Sequence, residues 1–316
     1  MTLPAPFENL RLPVIAAPMF IVSTPELVVA QVRSGVVGSF PALNARPSSQ
    51  LDEWLSQISE ETDGCASHFA VNLIVHKSNN RLEEDLKVLE RHKVPLVITS
   101  LGAIPEVNAA VHGWGGKVFH DVINDRFARK AVEKGADGLI AVAAGAGGHA
   151  GPQSPFALVQ EIRGWFDGPL ALSGAIACGR SILAAQAMGA DFAYIGTPFI
   201  ATREAHAAEA YKQAIVEGSA GDIVYSSLFT GVHGNYLRAS IKAAGLDPDN
   251  LPEGDKSQMD FGSGGNTAAK AWKDIWGSGQ GLGAISSIAS VEERVADFEA
   301  QYRSARDELA RRTGMG

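Results

Sequence analysis

Residues 134–140 read Lys-Gly-Ala-Asp-Gly-Leu-Ile, and residues 188–195 read Met-Gly-Ala-Asp-Phe-Ala-Tyr-Ile. Each stretch follows a helical pattern, turns at a glycine and enters an apolar run, which is the order of a helix, a turn and a buried strand. The two stretches begin 54 residues apart, which is the length of two strand–helix units. A repeated strand–helix unit is therefore the predicted building block of the fold.

The same unit extends over the first 217 or so residues. Eight short apolar runs predict strands at Val14–Ala17, Val36–Phe40, His68–Leu73, Leu96–Thr99, Lys117–His120, Gly138–Val142, Pro169–Leu172 and Phe192–Ile195. Helical patterns follow them at Pro25–Ser34, Ser49–Glu60, Arg81–Arg91, Ile104–His112, Asp125–Lys134, Phe156–Trp165, Arg180–Met188 and Glu204–Val216. Most of the runs are continuously apolar, as in parallel strands covered on both faces. We predict an α/β fold, a (β/α)8 TIM barrel whose site lies at the carboxyl ends of the strands.

The remaining residues break this rhythm. We assign residues 1–217 to the barrel, residues 218–275 to a small inserted cap domain over its mouth, and residues 276–316 to a C-terminal segment that packs back on the barrel. Strand and helix fragments are predicted in the cap at Asp222–Leu228 and Tyr236–Ala244. Within the last segment, Ser290–Arg311 has a strong helical pattern with charges throughout, so one face of this helix is expected to be solvated.

Charge and composition exclude several classes of protein. The chain has 27 Lys and Arg against 35 Asp and Glu, a net charge of −8, which disfavours a nucleic-acid or anionic-membrane binder. No apolar run approaches the about 18 residues of a membrane span, and no leader pattern opens the chain, so a cytoplasmic protein is expected. Cys65 and Cys178 are too few for a disulfide framework or zinc site, and no metal is predicted. The oligomeric state stays open.

The most informative loop follows the sixth predicted strand and reads Ala-Gly-Ala-Gly-Gly-His-Ala-Gly-Pro at residues 144–152. His149 stands among four glycines at the end of the barrel where the site is expected, and a histidine titrates near operating pH. It is a candidate general base, with a solvated turn as the alternative. The loop also fits G-x-G-x-x-A, but we reject a dinucleotide site because the next strand leads into Ser173 rather than an acidic residue.

Two further loops contain the small residues that phosphate sites use. These are Ser173-Gly174-Ala175 and Gly196-Thr197, after the seventh and eighth predicted strands. Loops at these positions commonly bind phosphate in such barrels through backbone N–H groups. Small residues are also typical of any tight turn, but both loops have them at once, which favours a phosphate site.

Several other polar residues, and one short apolar segment, lie where predicted strands reach the rim of the barrel. Asn72 ends the third strand and could bind a planar heterocycle or cap a turn. Ala17-Pro18-Met19 follow the first strand and could contact an aromatic ring or fill the core. His120 and Asp121 are expected to serve local hydrogen bonding more than chemistry, while His233 in the cap could contact a substrate. The cap residues Tyr225, Tyr236 and Trp276 could shape many pockets.

Together, these motifs resemble those of the nitronate monooxygenase family, FMN-dependent (β/α)8 barrels with an inserted substrate domain. The resemblance covers most of the chain and is carried by Ala17-Pro-Met, Val71-Asn-Leu, Gly147-Gly-His-Ala-Gly, Leu172-Ser-Gly-Ala and the long run from Gly189 to Glu204. It implies FMN as cofactor, a small-molecule substrate and O2 as partners, and oxidation of alkyl nitronates to a carbonyl compound and nitrite.

The resemblance also implies residue roles. His149 takes the position of the family's base. The isoalloxazine or ribityl chain would be lined by Ala17, Pro18, Met19, Asn72, Gly147 and Gly148. The phosphate would be held by Ser173, Gly174, Ala175, Gly196 and Thr197.

Two positions depart from the family. Asp121 stands where some relatives have a lysine, and Ala175 stands where a second glycine is frequent. Other activities therefore stay open beside the oxidation of nitronates. The first is an NAD(P)H-dependent FMN quinone or enoyl-thioester reductase on the same barrel. A flavin-free lyase or isomerase and a non-catalytic binding barrel are further alternatives.

Overall fold

The computed structural model describes residues 7–62, 68–254 and 274–314. Within these ranges, eight parallel strands form one sheet: β1 Val14–Ala16, β2 Gly38–Pro41, β3 Phe69–Ile74, β4 Leu96–Ser100, β5 Lys117–Val122, β6 Gly138–Val142, β8 Leu170–Ser173 and β9 Phe192–Ile195. Strand β7, Gly148–His149, belongs to a second sheet. The order in the first sheet is β1-β9-β8-β6-β5-β4-β3-β2. A parallel bridge between Ile15 and Val37 joins the first strand to the chain entering the second, which closes the ring. The predicted (β/α)8 barrel is confirmed.

Helices alternate with these strands. They are α1 Pro25–Arg33, α2 Ser48–Glu61, α3 Leu82–Arg91, α4 Pro105–Gly113, α5 Asp125–Glu133, α6 Pro155–Arg163, α7 Gly179–Ala187, α8 Thr197–Ile200 and α9 Glu209–Glu217. Proline at the first position starts α1, α4 and α6, where its missing N–H costs nothing. The Asn124 side chain caps α5 by accepting a hydrogen bond from the Phe127 amide.

The last barrel helix begins later than predicted. The pattern places its start at Glu204, whereas α9 begins at Glu209. Residues 203–206 are held by long-range bonds: the Arg203 amide donates to the Ala289 carbonyl, and the His206 amide donates to the Val22 carbonyl. The Glu204 carboxylate accepts from the Val291 amide. Tertiary contacts therefore override the local helical preference at these positions.

Alternation along the strands divides their side chains between the barrel interior and the layer beneath the helices. One interior cluster includes Ile15, Ala70, Ile98, Phe119, Ile140, Ala171 and Phe192. Phe7 closes one end of it with edge-on contacts to Phe192, at 5.6 Å between ring centroids, and to Phe119, at 6.3 Å. Because the side-chain period of a strand is two, the next inward positions at the carboxyl ends fall on polar residues such as Asn72, Ser100 and Asp121.

A small antiparallel sheet lies beside the sixth-strand loop. It contains β7 Gly148–His149, β10 Ile223–Ser226 and β11 Gly234–Leu237, in the order β10-β11-β7, and α10 Arg238–Ala243 follows β11. The cap is thereby tied to the glycine-rich loop through pairing of Gly234 with His149. About a third of the predicted 218–275 domain, residues 255–273, lies outside the described residues, as does Cys65. The domain boundaries stay a prediction.

The predicted C-terminal helix is present as α11 Val291–Thr313. Ser290 and Glu293 form a capping box: the Ser290 hydroxyl accepts from the Glu293 amide at 3.1 Å, and the Ser290 amide donates to the Glu293 carboxylate at 2.7 Å. The helix packs chiefly against α7 and also contacts α1. At Gly179, a β-carbon would overlap the backbone carbonyl of Phe298 and the amide of Tyr302. The two helices meet there backbone to backbone.

Replacing Gly179 with alanine is expected to lower the free energy of unfolding by about 3 kcal/mol, because overpacking against backbone cannot be relieved by a side-chain rotation. Thermal denaturation monitored by circular dichroism measures the loss. Gly113→Ala in α4 is the matched control, because a β-carbon at Gly113 would meet nothing within 4 Å. If the two variants melted at the same temperature, the close contact between α7 and α11 would be contradicted.

Candidate active site

A cavity of about 1130 Å³ opens at the carboxyl ends of the barrel strands. It exceeds the about 300–1,000 Å³ of pockets that hold a single drug-sized ligand. Ten of the predicted site residues line it: Ala17, Pro18, Met19, Asn72, Gly147, Gly148, His149, Ser173, Gly196 and Thr197. The structure therefore brings together residues from five different barrel strands or the loops that follow them, in the place where barrel enzymes build their sites.

The other two predicted residues, Gly174 and Ala175, line a recess of about 20 Å³ beside this cavity. The cavity and the recess share the lining residues Gly147, Ser173, Tyr194, Gly196 and Thr197. The remaining walls of the recess are mostly small residues. No Lys or Arg lines it within the described ranges, so its polar groups are those of the backbone and the hydroxyls of Ser173, Tyr194 and Thr197.

One wall of the recess was missed by the sequence reasoning. Gly279 and Gly281 line it from the segment that precedes α11. The Gly279 amide donates to the Thr197 hydroxyl at 2.9 Å, and the Gln280 amide donates to the Gly145 carbonyl at 2.9 Å. The run Gly-Ser-Gly-Gln-Gly-Leu-Gly at residues 277–283 was the available signal, because clustered glycines allow close backbone approach.

The glycine-rich loop at residues 144–152 packs closely against the backbone of residues 278 and 279. A β-carbon at Gly147 would lie 2.8 Å from the Gly279 amide nitrogen and 3.0 Å from the Ser278 carbonyl carbon. Only glycine fits between these two loops without displacing backbone. Ala175, in contrast, adopts a left-handed backbone conformation with φ of 55°. Because this conformation favours glycine, the alanine that stands here in place of the glycine frequent in the family has a strained backbone.

His149 lies on β7 in the cavity wall and is half-buried. Its Nε2 is 2.9 Å from the Thr230 hydroxyl oxygen, and the Thr230 hydroxyl donates to the Val232 carbonyl at 3.1 Å. Burial lowers the pKa of His149 to about 4, because an apolar wall disfavours the imidazolium. The ring is therefore neutral at pH 7 and keeps a lone pair. His233 stacks on Tyr225, with ring centroids 5.0 Å apart, outside the cavity lining.

A line of hydrogen bonds crosses three strands at the base of the cavity. The Asn72 amide donates to the Ser100 hydroxyl at 2.7 Å and to the Ile98 carbonyl at 3.0 Å, so it bonds to the neighbouring strand rather than capping a turn. The Ser100 hydroxyl in turn donates to Asp121 Oδ2 at 2.5 Å. Burial raises the pKa of Asp121 to about 6, and the bond from Ser100 opposes that rise.

Asp121's neighbours are buried as well. His120 is bonded through Nδ1 to the Thr99 hydroxyl at 2.6 Å, in line with the local hydrogen bonding expected of this pair. Burial and, secondarily, the charge of Lys134 lower the pKa of His120 to about 4. Burial and, secondarily, Asp121 raise the pKa of the Tyr194 hydroxyl well above its usual value. Ser100 and Tyr194 were not among the predicted site residues.

A further residue that the sequence analysis did not single out, Asn44, shapes the loop after the first strand. Asn44 accepts a hydrogen bond from the Ile21 amide at 2.9 Å and donates to the carbonyls of Met19 at 3.0 Å and Ser23 at 2.9 Å. Ile21 has φ of 68°, a conformation that is rare for a β-branched residue. Asn44 therefore holds a strained loop against the cavity. Nothing in the local sequence around Asn44 indicates this long-range role.

Across residues 7–62, 68–254 and 274–314, no three His, Cys, Asp or Glu side chains gather closely enough to hold a metal ion. In the same ranges, no helix combines the length and apolarity that crossing a membrane requires.

Comparison with known proteins gives consistent matches. A family model described as nitronate monooxygenase matches residues 5–298. A nitronate monooxygenase of Paraburkholderia phytofirmans is 24% identical over an alignment of 351 positions, which covers 96% of each chain. The structure of FabK from Thermotoga maritima is 25% identical with a TM-score of 0.77, covering 95% of each chain. A nitroalkane oxidase structure from Streptomyces ansochromogenes has a TM-score of 0.79 at 24% identity, covering 96% of this chain and 100% of that one, and shows the shared fold.

Proposed function

This chain belongs to the nitronate monooxygenase family of oxidoreductases, and we propose that it binds FMN and oxidises alkyl nitronates with O2 to a carbonyl compound and nitrite. The observation that carries the proposal is the position of His149. A neutral imidazole stands in the wall of a large cavity at the carboxyl end of the barrel, beside a recess walled by glycine backbone.

The residues present fit FMN. The recess suits a phosphate, because its walls are built mostly from small residues and offer backbone amides and the Ser173 and Thr197 hydroxyls. The adjoining cavity is large enough for a ring system and a substrate together. Ala17, Pro18, Met19, Asn72 and Gly148 would line the isoalloxazine or ribityl chain. When bound, FMN supplies the redox chemistry, and the protein supplies position and electrostatics.

His149 would act on the substrate proton. With a neutral nitroalkane, its lone pair accepts the proton from the carbon that bears the nitro group, which leaves a nitronate anion beside an imidazolium. The two opposite charges attract strongly where water is excluded, which offsets the low basicity that burial imposes on His149. A substrate that is already a nitronate has no such proton to lose, and His149 then orients it.

The outer cavity suits an apolar substrate chain. Apolar residues such as Phe20, Ile21 and Leu43 line it on one side. On another side, Trp276 lines the cavity and is stacked on Tyr211 with ring centroids 5.0 Å apart. An alkyl group would be stabilised against these walls by removal from water.

The proposal is tested by anaerobic stopped-flow absorbance of the FMN-loaded protein mixed with an alkyl nitronate, NADH or NADPH, with free FMN as the control for uncatalysed reduction. We expect the nitronate to bleach the bound flavin rapidly. Bleaching by NADH or NADPH without bleaching by nitronate would contradict the proposal and favour a quinone or enoyl-thioester reductase. A colourless protein that takes up no added FMN would instead favour a flavin-free lyase or isomerase.

A further inference from the structure

Asp121 is a half-buried residue whose carboxyl group has an incomplete set of hydrogen bonds. Its Oδ2 accepts from Ser100 at 2.5 Å, whereas its Oδ1 is buried and has no hydrogen-bond partner within the described ranges. A buried carboxylate oxygen without a donor is costly, because the lost hydration is not replaced. Asp121 also lines the cavity in which we place FMN.

Asp121 forms no described ion pair, although Arg46 and Lys130 line the same cavity and the charge of Lys134 acts on the adjacent His120. From β4 it receives the Ser100 hydroxyl, and from β9 the Tyr194 phenol lies close enough for Asp121 to raise that phenol's pKa. On its own strand, His120 is bonded to Thr99 and is neutral at pH 7. The other titratable or charged side chains that line the cavity are Arg46, Lys130, His149, His206, Tyr211 and Asp274. None of the described ion pairs includes Asp121.

We propose that Asp121 takes up a proton when the bound cofactor is reduced, so that reduction and protonation are coupled through this carboxyl group. The proposal rests on the proposed function, because it requires FMN in the cavity. On reduction, two electrons and one proton enter the cofactor, so its net charge becomes one unit more negative, and a second proton moves from solvent to the Asp121 carboxylate. On reoxidation the two electrons and the cofactor's proton leave, and the Asp121 proton returns to solvent.

The coupling follows from like charges in one cavity. Burial already raises the pKa of Asp121, and negative charge added by reduction nearby raises it further, because two negative charges disfavour each other in a site with little water. Between the pKa values of Asp121 in the oxidised and reduced protein, reduction therefore binds one extra proton. Between these two pKa values, one extra proton per two electrons lowers the reduction potential of the cofactor by a further amount of about 30 mV for each pH unit.

The test is a potentiometric titration of bound FMN from pH 5 to 9 in the wild-type protein and in Asp121→Asn. At pH 5 the two potentials should agree, because Asp121 is protonated and resembles asparagine. Above about pH 6 the wild-type potential should fall below that of the variant by about 30 mV per pH unit, and the difference should then become constant. Asp167→Asn is the control, because it removes one carboxylate from an exposed position at the opposite end of the barrel, and should match wild type throughout.

Ser100→Ala is a second variant, which leaves Asp121 unchanged. It tests the proposal even if Asp121→Asn does not bind FMN. Loss of this hydrogen bond removes a factor that lowers the pKa of Asp121, so the pH window should move upward. Equal potentials, or a constant offset at every pH, would overturn the proposal and leave Asp121 a structural residue. FMN content and anaerobic reduction by nitronate are measured on the same preparations, so failure of the proposed function is distinguished from failure at Asp121.

Discussion

Alanine in place of His149 is expected to lower the turnover of a neutral nitroalkane by about 10²–10⁴-fold while FMN stays bound. The change removes the lone pair that accepts the substrate proton but none of the residues assigned to the phosphate recess. Turnover of the corresponding preformed nitronate should fall less, because that substrate has no proton to transfer. Steady-state O2 consumption with the two substrates measures the difference.

His112→Ala is the matched control, because it removes an imidazole that lies on the outer helix α4 and is bonded to Asp137. It should leave turnover unchanged. The pH dependence adds a second check: the basic form of His149 is populated above its pKa of about 4, so nitroalkane turnover should fall as pH drops through that value. Full nitroalkane turnover in His149→Ala would contradict its assignment as the base, and an inflection from His149 near 6.5 would contradict the lowering of its pKa by burial.

Gly147→Ala is expected to weaken FMN binding by about 10–100-fold. The added β-carbon would press on the backbone at Ser278 and Gly279, and overpacking of about 1–3 kcal/mol would open the recess that we assign to the phosphate. Quenching of FMN fluorescence on titration with the apoprotein measures the affinity. Gly221→Ala is the control, because its β-carbon would have only an ordinary contact at 3.6 Å. Equal affinities in the two variants would rule out the recess as a tightly built phosphate site.

The fold was predictable because each strand–helix unit is visible locally. The eight barrel strands lie at the predicted places, and their continuous apolar character reflects burial on both faces. The start of α9 was not predictable from local pattern, because hydrogen bonds to the carbonyls of Val22 and Ala289 hold residues 203–206 out of the helix. These contacts come from elements far away in sequence.

The site was predictable where a loop follows a strand. His149, Ser173 and Thr197 could be placed in one cavity because parallel strands bring their carboxyl ends together. Ser100 and Tyr194 were missed, although each stands two residues beyond an inward-facing apolar residue, and this alternation was an available signal. Asn44 and Gly279 reach the site through bonds over long sequence separations, which only the folded chain shows.

X-ray diffraction from crystals of the protein grown with FMN tests the proposed placement of the cofactor. We expect density for the phosphate in the recess between Gly147, Thr197 and Gly279, and for the ring system in the cavity within reach of His149. Density for the phosphate elsewhere, or a His149 side chain turned away from the bound ring, would contradict it.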